Sequence, residues 1–167
     1  MVMHESTEDL KWLQALLDAT YREAGAHVTS VHSIEARLSA GDVVRQFQGA
    51  HTLVVATVTE GGRPISGPVD AFLFRGRFHF RTVRHAVRNR HLARSRAITG
   101  THVRGDELVV SVHGCAQPLD LAGADAAFAE LANDWYGDAQ MWDQPIGWAI
   151  EPLRMLAADM RVYFARS

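Results

Sequence analysis

From Glu8 to Glu23 apolar side chains fall three and four residues apart, at Leu10, Leu13, Leu16, Leu17 and Tyr21. That spacing predicts a helix with one buried face. Ser6-Thr7-Glu8-Asp9 offers a hydroxyl start with acids in the first turn, and Gly25 offers a stop. A shorter helix is expected from Ser39 to Gln48, with Val43, Val44 and Phe47 inward and Gly49 ending it.

Past His51 the period shortens to that of strands. His51 to Thr59 is rich in β-branched residues, Glu60-Gly61-Gly62-Arg63 is a turn, and Pro64 to Phe74 is a second strand. Arg75-Gly76 turns the chain into Arg77 to Val83, where Phe78 and Phe80 alternate with His79 and Arg81. Three strands joined by short glycine turns predict an antiparallel meander. A basic helix is expected from Ala86 to Ser95. A further hairpin should run from Ile98 to Val103 and from Glu107 to Leu119, across Arg104-Gly105-Asp106. Gly123 to Trp135 has helical spacing at Ala127, Phe128, Leu131 and Trp135, and Trp148 to Ala158 and Met160 to Phe164 read as closing strands. The fold class expected is mainly β with helices (α+β): an antiparallel barrel of six to seven strands with flanking helices. One domain is expected over residues 1–167, with 1–50 a helical N-terminal extension and 51–167 the barrel.

Composition narrows the function classes. With 47% hydrophobic and 22% charged residues, the 167-residue chain reads as an ordinary globular domain with a core. No apolar run approaches the roughly 20 residues of a membrane helix. The acidic stretch around Glu5, Glu8 and Asp9 is unlike a secretory leader, and the single Cys115 has no intrachain partner. Cytoplasmic location is the default expectation. Net charge is −2, so nucleic acid is not an expected partner. Seventeen basic residues include one lysine, Lys11, so sixteen are arginine, a bias that fits a GC-rich genome. Their placement does carry information. Between Arg75 and Arg104 lie nine arginines and no acid, a basic block suited to a local anionic ligand.

Order and spacing along Thr52 to Leu119 resemble the pyridoxamine 5′-phosphate oxidase-like split β-barrels. Leu53-Val54-Val55-Ala56-Thr57-Val58 is the apolar strand, Gly61-Gly62-Arg63-Pro64 the glycine turn, and Ser66-Gly67-Pro68-Val69 the strand with a proline. Phe78-His79-Phe80-Arg81-Thr82 then leads into a basic helix start at Arg84 and Arg88. Where the family often has lysine and, three residues on, asparagine, this chain has Arg88 and His91. Val109 to Gln117 and Trp148-Ala149-Ile150-Glu151-Pro152-Leu153-Arg154-Met155 are similar to the strands that complete the barrel. The resemblance implies a homodimer with cofactor sites between subunits, holding FMN in most members, a 5-deazaflavin coenzyme in a related branch and haem in a few.

A flavin needs an anchor for its phosphate, a flat slot for its ring and electrostatic tuning near its redox atoms. Arg84 and Arg88, four apart at a helix start, are expected to share a face and grip phosphate oxygens, with the Thr82 hydroxyl and helix amides adding donors. The plainer reading is that these arginines solvate an exposed helix. The resemblance implies a ring slot against Pro68, Val69, Asp70 and the backbone of Phe80 to Thr82, including Arg81. Asp70, the one carboxylate between Arg63 and Arg104, either orients a proton near the ring or pairs with a barrel arginine. Trp135, Tyr136, Trp142 and Trp148 gather in a segment read as loop-rich. Trp142 and Trp148 are candidates for a wall over the cofactor, and dimer packing is the alternative. No metal-ligand spacing, nucleophile elbow or phosphate-loop glycine pattern is present, so no catalytic or metal residue is named. His79 and His113 read as structural strand histidines, with haem ligation as a lesser alternative. The function expected is a flavin-dependent oxidoreductase of a small organic substrate. The competing class is a non-catalytic binder of flavin, deazaflavin or haem.

Overall fold

Residues 4–137 and 144–164 are described by the structure, a computed structural model of the chain. Alternation of inward and outward side chains sets up six antiparallel strands: β1 (Ala50–Val58), β2 (Pro64–Phe74), β3 (Arg77–Thr82), β4 (Ala97–Arg104), β5 (Leu108–Pro118) and β6 (Ile146–Asp159). Their order is β1-β2-β3-β6-β5-β4, and pairing of β1 with β4 closes the barrel. Closure leaves no free sheet edge. The β2–β3 connection is the two-residue turn expected, with both Arg75 (φ 51°) and Gly76 (φ 76°) left-handed.

Inside the barrel Leu53, Val55, Phe78, Phe80, Ile98, Val110, Val112, Ile150 and Met155 are buried. Strands β2, β3 and β6 are buried on both faces over part of their length, because helices cover their outer sides. Helix α1 (Thr7–Glu23) packs on β6: Tyr21 Oη donates to the Ala157 carbonyl (2.8 Å) and accepts from its N–H (3.2 Å), while Thr20 Oγ1 accepts from Met155 N–H (3.1 Å). Helices α2 (Ala26–Val31) and α3 (Ala40–Gln46) follow, and α4 (Val87–Arg94) joins β3 to β4. Helix α5 (Ala126–Tyr136) lays Phe128 and Ala132 over Phe72 and Phe74 on the outside of β2. Ser6 and Ser39 each close a reciprocal capping box, with Asp9 and Asp42, so both expected helix starts are found. No helix among the described residues is long and apolar enough to cross a membrane.

The expected fold class holds, with six strands and not seven. Met160–Phe164 is not a strand. The last β5–β6 pair is Leu108 with Asp159, after which the Asp159 carboxylate accepts from Arg161 N–H (3.0 Å) and starts the short helix α6 (Arg161–Phe164). Its side-chain pattern resembled a strand, but β5 has no residues left to pair with it. Likewise α1 ends on Ala24, and Gly25 caps the unexpected α2. Trp135 and Tyr136 stand in the last turn of α5, and Trp148 stands in β6, so these three are not in a loop.

Candidate functional site

The candidate site lies where β3 gives way to α4. Thr82 ends β3, buried, with its backbone opposite Ile146 of β6. The chain then turns through Val83–Ala86, and Asn89 holds that turn. Its Nδ2 donates to the carbonyls of Val83 (2.9 Å) and Arg84 (3.0 Å), and its Oδ1 accepts from Trp148 Nε1 (2.9 Å). One buried amide therefore ties the turn to β6. The Trp148 ring is 5% exposed and has the Arg96 guanidinium 5.3 Å from its centre, so it backs the turn from inside.

Helix α4 begins at Val87, which corrects the expected pairing of Arg84 with Arg88. Arg84 precedes the helix, so four-residue spacing does not put the two on one face. Arg84 is exposed and its Nη2 donates to Gln144 Oε1 (2.7 Å). Arg88 turns toward β2, where its Nη2 donates to the Gly67 carbonyl (3.3 Å). Burial holds its pKa below the ordinary guanidinium value, and the group stays charged. Three residues on, His91 is buried and its Nδ1 lies 2.9 Å from Thr57 Oγ1 on β1. A cleft of about 180 Å³ opens between α4 and the β1–β2 hairpin, bordered by Thr57, Ile65, Ser66, Val87, Arg88 and His91. Beyond His91 a second hollow of about 540 Å³ is bordered by Glu60, Arg90 and Arg94, with Arg94 and Glu60 paired at 2.6 Å.

Further along β2, Pro68 and Asp70 face outward and Val69 faces the core. Among the described residues no arginine pairs with Asp70, which corrects the ion-pair alternative: its Oδ2 accepts from Tyr136 Oη (3.1 Å). Burial and the Asp70 carboxylate push the Tyr136 phenol up to about 12. Arg81 instead donates from Nη1 to Asn133 Oδ1 (2.7 Å) and lies 5.6 Å from the Tyr136 ring centre. Its Nε is sealed from solvent without an acceptor. Helix α5 thus supplies the partners of both Asp70 and Arg81. Of the residues singled out, Arg88, Pro68, Asp70 and Arg81 follow the outer side of β2 and the end of β3. Trp142 lies outside the described residues. The Thr57–His91 contact, the Asn89 staple and the Tyr136–Asp70 bond escaped sequence reading. His91 is 34 residues from Thr57, Asn89 is 59 from Trp148 and Tyr136 is 66 from Asp70, so no local pattern announces these contacts.

His79 is enclosed, with Phe74 and Phe128 against its ring and Nδ1 on the Arg77 carbonyl (3.0 Å). Burial lowers its pKa from 6.5 to about 4. The unfolded chain therefore takes up the proton first. This stability is fully present above pH 6.5 and is lost as pH falls toward 4, by about 3 kcal/mol at about 1.4 kcal/mol per pH unit. His79→Phe should flatten the urea-derived stability between pH 7 and pH 4 by that amount; an unchanged pH slope would contradict it. Among the described residues no group of three or more His, Cys, Asp or Glu is placed to hold a metal ion.

No family model and no curated protein matches the chain. Solved structures do. The conserved hypothetical protein Rv2991 from Mycobacterium tuberculosis aligns at TM-score 0.66 and 18% identity, over 80% of this chain and 92% of its own. A heme binding protein from Mycobacterium smegmatis aligns at 0.55 and 19%, over 70% of this chain and 56% of its own. A candidate pyridoxamine 5′-phosphate oxidase from Listeria innocua aligns at 0.51 and 12%, over 64% of this chain and 86% of its own. At these identities the likeness carries architecture alone. The chain has the split β-barrel fold that these proteins share, six antiparallel strands with flanking helices.

Proposed function

We propose that this chain is a flavin-dependent oxidoreductase of a small organic substrate, binding FMN with its phosphate in the α4–β2 cleft. The observation that carries this reading is Arg88. It is a half-buried guanidinium whose partner is a carbonyl and, among the described residues, no carboxylate, and it borders a small cleft that Ser66 also lines. A buried cation without a counter-ion favours an incoming anion, and guanidinium matches phosphate as a fork of donors. The cleft is smaller than the roughly 300–1,000 Å³ of a whole small-molecule pocket. It suits a phosphate subsite whose remaining walls come from elsewhere.

Those walls are the outer side of β2 at Pro68 and Asp70, with the Val69 backbone between them, the end of β3 at Arg81 and Thr82, and a second copy of the chain. Ile65 (52% exposed) and Val87 (49% exposed) stand at the cleft mouth, with Val54 (46%) nearby on β1. Apolar side chains of this size around an incomplete site favour a homodimer that covers them. Trp148 backs the site from β6. When bound, FMN supplies reversible transfer of hydride or single electrons. The chain's own residues anchor, orient and tune. Arg81 and the Asp70–Tyr136 pair set the charge beside the ring, with the high phenol pKa keeping Tyr136 protonated at neutral pH.

A 5-deazaflavin coenzyme would use the same phosphate contacts. The second reading, a non-catalytic haem binder, is favoured by the neighbour named for heme binding. Reduction separates the classes, since an enzyme's bound flavin is bleached by a nicotinamide donor or reoxidised by substrate at useful rates and a binder's is not. Arg88→Ala should weaken FMN binding about 10- to 100-fold, the range of a lost charged hydrogen bond, as read by quenching of flavin fluorescence. Unchanged affinity would remove the phosphate site.

A further inference from the structure

We propose that His91 is a second donor to the phosphate, with its ring held in the donating tautomer by Thr57. The proposal rests on the FMN reading above and extends it to a further residue of α4. His91 and Arg88 are three apart on α4 and so share one face. The imidazole is 6% exposed and makes one polar contact, from Nδ1 to Thr57 Oγ1. Among the described residues only Arg81 Nε and His102 Nε2 are sealed from solvent without a partner. His91 Nε2 is therefore not sealed, and the open space that the ring borders is the phosphate cleft and its neighbouring hollow.

The Thr57 hydroxyl can donate to Nδ1 or accept from it, and the proposal takes the first arrangement. When the hydroxyl donates to Nδ1, Nε2 is N–H and directs a donor outward. Thr57 is itself 3% exposed and shares the inward side of β1 with Leu53 and Val55. A hydroxyl buried on an apolar face is costly unless it is used. Arg88 already gives one nitrogen to Gly67. A phosphomonoester presents three terminal oxygens, and Arg88 from the β2 side with His91 from the barrel end would meet different ones.

Titration with FMN and with riboflavin, which lacks the phosphate, tests this. His91→Leu should weaken FMN about tenfold and leave riboflavin within about twofold, the scatter expected of a residue that does not touch the ring. His91→Gln, whose amide offers an N–H in place of Nε2, should keep most of the FMN affinity. Thr57→Val keeps the ring but frees its tautomer, and should weaken FMN several-fold, riboflavin again unaffected. A role limited to pinning α4 onto β1 would alter both flavins alike, and an unchanged FMN-to-riboflavin preference in His91→Leu and Thr57→Val overturns the proposal. If His91→Leu melts early, Thr57→Val decides. Arg88→Ala keeps the two claims apart: its failure to weaken FMN removes the parent reading, whereas its success beside an inert His91→Leu removes only this one.

Discussion

Replacing Gly114 with alanine is expected to cost on the order of 4 kcal/mol or more, enough to leave little folded protein. Between β5 and β6 the register slips at this point. His113 pairs with Arg154 and Gly114 with Pro152, so Leu153 is the extra residue of a bulge and stands 72% exposed. A bulge is also what lets Pro152, with no N–H to give, sit in a central barrel strand. The strands close up here so tightly that a Cβ on Gly114 would lie 2.1 Å from the Glu151 carbonyl oxygen and 2.9 Å from Pro152 Cα. Both are backbone atoms, so no rotamer relieves the contact. Glu151 is further fixed by two bonds from Arg77, at 2.6 and 3.2 Å, and Arg77 lies 3.9 Å from the Trp12 ring centre. Gly61→Ala is the control, because nothing stands within 4 Å of its Cβ position. Urea denaturation of the two variants should differ widely, and Gly114→Ala within about 1 kcal/mol of wild type would refute the clash, given typical surface effects of about 0.5 kcal/mol.

The second large effect is expected at Asn89. Alanine there deletes two donors to the β3–α4 turn, each bond worth about 1 kcal/mol, and strands the buried Trp148 N–H at a further cost of about 1–3 kcal/mol. The predicted loss is about 3–5 kcal/mol. It should also reach the site. The turn sets the start of α4 and so the aim of Arg88, which makes weaker FMN binding a second readout in conditions where the variant stays folded. If stability fell but FMN affinity did not, Asn89 would serve the core alone. If neither changed, the staple would be wrong.

The sequence made some elements legible because their signals are local. The apolar spacing of α1, the Ser39 start of α3 and the Arg75-Gly76 turn depend on residues within a few positions of one another, and each was read correctly. Barrel closure followed from counting short strands with glycine turns. What failed was non-local. Met160–Phe164 had strand-like residues but no strand left to join, and only the β5–β6 register reveals that. Arg84 and Arg88 looked like a helical pair until Asn89 was seen to hold a turn between them. Asp70 was matched with an arginine on charge, yet α5 brings Tyr136 to Asp70 and Asn133 to Arg81. Of the site, the positive charge and its strand-to-helix setting were readable. The identity of each group's partner was not, since partners came from β1, β6 and α5.

The most direct test of the central claim is titration of the purified wild-type chain with FMN, followed by flavin absorbance and fluorescence quenching. The account predicts saturable binding of about one FMN per chain in a dimer, each subunit contributing one phosphate site. Failure to bind FMN, together with a Soret band on adding haem, would contradict it and give the barrel to the haem reading.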